Sequence, residues 1–77
     1  MNRQRRKKLE EIACKLQGLQ FELQSIAEEE RECFDNMTEG LQQTERGLTI
    51  EGNADDLEGV DSDFETLVDT IQQVIDR

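Results

Sequence analysis

The chain has 77 residues, carries Lys+Arg 9 against Asp+Glu 19 for a net charge of −10, and contains no His, Trp, Tyr or Pro. A chain of this length holds one small domain. Without His, the side chain most used as general base and metal ligand near neutral pH is missing, and two Cys cannot complete a structural zinc site; no enzyme, metal or cofactor is expected.

The charge is unevenly placed. Residues 1–15 hold Arg3, Arg5, Arg6, Lys7, Lys8 and Lys15 against Glu10 and Glu11, a local +4 that leaves −14 on residues 16–77. An acidic field over most of the chain repels phosphate backbones and anionic lipid, so direct nucleic-acid or membrane binding is not expected. The basic start leads into a charged amphipathic segment and no run of about 18 apolar residues follows. The reading is therefore a cytoplasmic protein in which Cys14 and Cys33 are reduced thiols.

The first element is written in the spacing of Leu9, Ile12, Leu16, Leu19, Leu23 and Ile26, which repeats 3,4,3,4,3 and continues through Glu30 to Cys33 and Met37. This is a heptad seam, and it predicts a helix over about 3–34. With Leu9 as position a, the e positions hold Ala13, Gln20, Ala27 and Phe34, so the apolar stripe is wider than a two-stranded seam. The basic cluster stands at the positive end of this helix dipole, where cations are disfavoured and a compensating partner is required.

The connection is residues 35–48, where the heptad is lost and Gly40 and Gly47 punctuate the chain. Thr38 ahead of Glu39, Gly40 and Leu41 fits one short helical turn, and Leu41, Leu48 and Ile50 are apolar enough to close the end of a bundle.

The second helix shows the same spacing in Leu57, Val60, Phe64, Leu67, Ile71 and Val74, with Val68 and Ile75 widening the stripe. Two starts fit. Ser62 with Glu65 makes a capping-box pattern, while Thr49 gives a longer helix, over 49–76, that keeps Ala54 and Leu57 in register.

Two helices of roughly 48 and 42 Å, by helical rise, predict an all-α antiparallel hairpin. It would bring the basic start of the first helix beside Asp69, Asp76 and the terminal carboxylate. Two stripes this wide cannot cover each other fully, so the twelve seam residues named above, Leu9 to Ile26 and Leu57 to Val74, are expected to form the core of a homodimer, a four-helix bundle.

The central segment Phe34-Asp35-Asn36-Met37-Thr38-Glu39-Gly40-Leu41-Gln42-Gln43-Thr44-Glu45-Arg46-Gly47 resembles the signature of a family of small acidic phage and prophage proteins. There an aromatic-Asp-Asn-(Leu/Met)-Pro-Glu motif leads into Leu-Gln-x-Ser-Glu-(Arg/Lys)-Gly between two heptad-rich segments, after a start similar to Met1-Asn2-Arg3-Gln4-Arg5-Arg6-Lys7. The chain departs from the pattern at Thr38, Gly40 and Thr44 and is richer in Gly in its second helix. The resemblance implies a phage-type helical accessory protein directed at a host or defence protein, and it transfers no catalytic or binding residue.

The remaining candidates are surfaces. A calcium loop starting at Asp61 needs Gly at residue 66 and Glu at residue 72, where the chain has Thr66 and Gln72; one starting at Asn53 puts Leu57 at a ligand position. Cys14 and Cys33 lie roughly 28 Å apart by helical rise and cannot bond to each other, Cys33 being read as a small core residue. Cys14 and Phe21 share the row opposite the seam and are a candidate partner contact. Glu22, Glu29, Asp55, Asp56, Asp63 and Asp69 would serve as a nucleic-acid mimic against a basic partner surface if they formed one continuous face.

Overall fold

The computed structural model describes all 77 residues and holds three helices, α1 (Arg3–Asp35), the single turn α2 (Glu39–Gln42) and α3 (Glu45–Asp76). α1 and α3 lie side by side and antiparallel in a rod measuring 59 × 15 × 13 Å. No helix is long and apolar enough to cross a membrane.

Each helix begins where a short polar side chain replaces the missing backbone acceptor. Asn2 Oδ1 accepts from the Arg5 N–H at 2.9 Å, and the Thr38 hydroxyl accepts from the Leu41 N–H at 3.4 Å, which makes α2 the short turn expected there. Thr44 does the same for α3, accepting from the Gly47 N–H at 3.2 Å. α3 therefore starts four residues before Thr49, whose hydroxyl instead donates to the Glu45 carbonyl at 2.9 Å inside the helix; Ser62 also lies within α3.

Gly47 does not end a helix. A Cβ at this position would stand 2.5 Å from the Leu41 carbonyl oxygen and 2.7 Å from that of Gln42, so the absent side chain is what lets α3 start directly against α2. At Gly18, Gly52 and Gly59 a Cβ would meet open space.

Within one hairpin the buried seam is narrower than the twelve residues named for the dimer core. Small buried residues, Ala13 and Ala27 on α1 and Ala54 on α3, stand at e positions and form the core with Ile75. Leu9, Leu16 and Leu23 pack half-buried beside them, as do Leu57, Phe64 and Ile71 across the pair. The hairpin thus closes on positions a and e. The d row faces away: Ile12, Leu19, Ile26 and Leu67 are 46%, 50%, 48% and 48% exposed. Cys33, expected in the core, belongs to this row and is exposed. The reason is steric: alanine lets two helix backbones approach closely, and one partner helix covers only one flank of a stripe spanning d, a and e.

Two further expectations fail. Leu41 and Leu48 do not close the bundle end and stay exposed, only Ile50 turning partly inward. The N-terminal cations find no partner on α3, because both ion pairs of the molecule belong to Arg31 and neither Asp69 nor Asp76 takes part. Arg6 occupies an inward position with its Nε buried and without a hydrogen-bond partner.

These contrasts among the glycines give opposite expectations. Gly59→Ala, in open helix, should raise stability by about 0.5–1 kcal/mol. Gly47→Ala should lower it by about 1–3 kcal/mol, because the carbonyls of α2 must move. Thermal melts followed by circular dichroism check both signs; a stabilising Gly47→Ala would contradict the close approach of α2 to α3.

Candidate interaction surface

The hairpin has two unlike flanks. On one, the side-chain amides of Gln20 and Gln24 both donate to Asp61 Oδ1, at 2.8 and 2.6 Å. About two turns beyond Gln24 on α1, Arg31 Nε and Nη2 donate to the two carboxylate oxygens of Glu58 at 3.1 Å each, and Nη2 reaches Asp55 as well. The groove between these networks is lined by Gln24, Ala27, Glu28, Leu57, Glu58 and Asp61. This flank is polar and satisfied within the chain.

The Gln20 and Gln24 amides favour the charged form of Asp61 and hold its carboxyl below the usual carboxylate range. Glu58 first, and Asp55 second, raise the Arg31 guanidinium further above its already high value. Arg31 is the single cation between Leu16 and Thr44, and the hairpin uses it to tie two carboxylates of α3 to an acidic stretch of α1.

The other flank is apolar along Ile12, Leu19, Val60 and Leu67 and becomes polar toward the connection. Ile26 shares a groove with Glu30, Asn53, Asp56 and Leu57, and Asn53 Nδ2 donates to Glu30 Oε2 at 3.4 Å across it. Further along, Val60, Phe64 and Leu67 line a second groove with Asp63 at its edge. The d rows of both helices therefore lie on one side, with Ile12, Leu19 and Ile26 opposite Val60, Leu67 and Val74. The chain exposes 5980 Å², against roughly 4,800 Å² for a compact monomer of 8.9 kDa.

No family model, curated protein or solved structure matches this chain.

Phe21 is 70% exposed and Cys14 is exposed, on the outer side of α1. The six carboxylates considered as a mimic are divided between the flanks: Asp55 is engaged by Arg31 on the polar side, whereas Asp56 and Asp63 border the apolar grooves. A single hairpin does not present them as one face. No three Cys, Asp or Glu side chains converge as a metal site would need. Gln20, Gln24 and Arg31 make the polar bonds between the helices, a role that heptad spacing does not assign; two amides at i and i+4 beside an apolar seam are the signal that marks the first two.

The lowered Asp61 pKa carries a pH signature. A carboxyl depressed in the folded state adds stability above its unfolded pKa, and the contribution is lost as pH falls through the folded value. Asp61→Asn should melt below wild type at neutral pH, and the gap should narrow as pH falls below about 4. A gap that does not change with pH would show that the two amides do not depend on the carboxylate charge.

Proposed function

We propose that the chain is a non-enzymatic, cytoplasmic interaction protein that works as a homodimer, two hairpins closing by their apolar flanks into a four-helix bundle. One observation carries this reading: Ile12, Leu19, Ile26 and Leu67, each about half exposed, stand on the same side of the rod while the opposite flank is polar and internally bonded. Fully burying apolar side chains of this size stabilises by about 1.5–3 kcal/mol each, and a lone hairpin, which leaves all four about half exposed, forgoes about half of that. The surface in excess of a compact monomer, roughly 1,200 Å², is enough for one side of a stable interface.

The bundle then offers an acidic exterior to a basic surface on a second protein. The −14 balance of residues 16–77 supports this role, as does the likeness of the segment from Phe34 to Gly47 to small phage proteins, which points to a host or defence protein as the target. Of the candidate carboxylates Glu22, Glu29, Asp63 and Asp69, those that the dimer leaves unpaired are available to such a contact, and Phe21 with Cys14 is the apolar anchor that closing the d rows leaves free. A second reading, a structural oligomer whose charge provides solubility alone, is favoured by the division of the carboxylates between two flanks.

Light scattering at tens of micromolar should give a mass near 18 kDa, twice that of the 8.9 kDa chain. Leu19→Lys should return it to the monomer mass while leaving the helical signal in place. A wild-type chain that melts cooperatively as a monomer rules out the bundle. Salt separates the two roles: a partner captured through the acidic exterior is released as ionic strength rises, because exposed charges are screened. If reversing the charge of Asp63 and Asp69, which enter no ion pair in the hairpin, leaves the biological effect intact, the structural reading is the better one.

A further inference from the structure

We infer that the occupant of the apolar flank is a second copy whose α1 lies antiparallel on this α1, crossing at Leu19, so that Lys8 and Lys15 of each copy face Glu29 and Glu22 of the other. This arrangement rests on the homodimer proposed above and specifies how its two copies meet.

The first support is a sign change. The row that edges Ile12, Leu19 and Ile26 on α1 reads Lys8, Lys15, Glu22, Glu29, two cations and then two carboxylates at heptad spacing. All four are exposed, and none enters an ion pair within the hairpin. The sign reverses level with Leu19. When two such helices run antiparallel about a twofold axis at that level, Ile12 meets Ile26 and Leu19 meets itself, and within one residue of the same levels Lys8 meets Glu29 and Lys15 meets Glu22. One operation therefore aligns both the apolar row and the charged row.

The second support is the unpaired N-terminus. Residues 1–15 carry a local +4 at the positive end of the α1 dipole, and no carboxylate of the hairpin neutralises it. The last turns of α1 hold Glu28, Glu29, Glu30, Glu32 and Asp35 against Arg31 alone. The antiparallel operation brings the basic start of each copy onto the acidic, carbonyl-rich end of the other.

The third is the failure of the alternative. A twofold axis along the rod would lay α1 on α3 of the second copy at the levels set by the hairpin itself, in which Gln20 and Gln24 stand level with Asp61 and Glu30 with Asn53. Glu22 and Glu29 would then face Asp63 and Asp56, and Lys8 would approach Arg77. Like charges oppose that packing at three of the four rim levels, and at the fourth Lys15 meets the uncharged Thr70.

The test is a charge swap followed by sedimentation equilibrium at low salt. Lys8→Glu with Lys15→Glu, and separately Glu22→Lys with Glu29→Lys, should each weaken self-association at least about tenfold, because four attractive pairs become repulsive. An equimolar mixture of the two variants should recover heterodimer at close to the wild-type affinity. Glu22→Lys with Glu29→Lys forming a tighter homodimer than wild type, or a mixture that recovers nothing while both variants remain helical, overturns the arrangement and leaves the dimer standing. Wild type that stays monomeric throughout overturns the dimer itself.

Discussion

Everything distinctive about this hairpin depends on where three alanines stand. Ala13, Ala27 and Ala54 are nearly or fully buried at e positions, so α1 and α3 approach along an edge of their apolar stripes and not along the middle. Close contact between small residues gains dispersion without large side chains, and no large side chain in the molecule is fully buried. The offset leaves the d row uncovered on one flank. A leucine or isoleucine in place of those alanines would push the helices apart and turn the seam toward a and d, with a different surface as the result.

The polar flank makes the offset possible. Gln20, Gln24 and Asp61 occupy seam positions at which an apolar residue would extend the core, and their hydrogen bonds, with the Arg31 bridges to Glu58 and Asp55, close that side with polar groups that satisfy one another. Exposed pairs of this kind contribute little each, but together they join the helices at defined levels, Gln20 and Gln24 to Asp61 and Arg31 to Asp55 and Glu58. Apolar burial holds the pair together, and the polar flank decides how the helices are aligned and which side remains free for another molecule.

The two long helices are legible in the chain because their leucines and isoleucines repeat at heptad spacing without Pro, and the short turn after Thr38 is legible from its cap. The start of α3 is not. Thr44 and Thr49 are equally good caps by type, and the choice was made by the approach of α2, which Gly47 permits and which no local pattern announces. The a/e closure is hidden for a related reason: a stripe that spans d, a and e is compatible with either edge, and the decision rests on the small volume of alanine opposite alanine. Cys33 follows the same logic, lying on the seam by spacing and in solvent by packing. The free cations at the N-terminus show the limit of charge counting, since proximity along antiparallel rods does not make an ion pair.

The central claim is that the hairpin has one face closed within the chain and another closed by a second copy. Methyl resonances recorded with a water-soluble paramagnetic agent over a dilution series test it most directly. The expected result is that Ile12, Leu19, Ile26 and Leu67 are as protected as Ala13, Ala27 and Ala54 at high concentration and become accessible on dilution, while the alanines stay protected. Methyl groups of these four side chains that remain open to the agent at every concentration, or alanines more accessible than the d row, would contradict it.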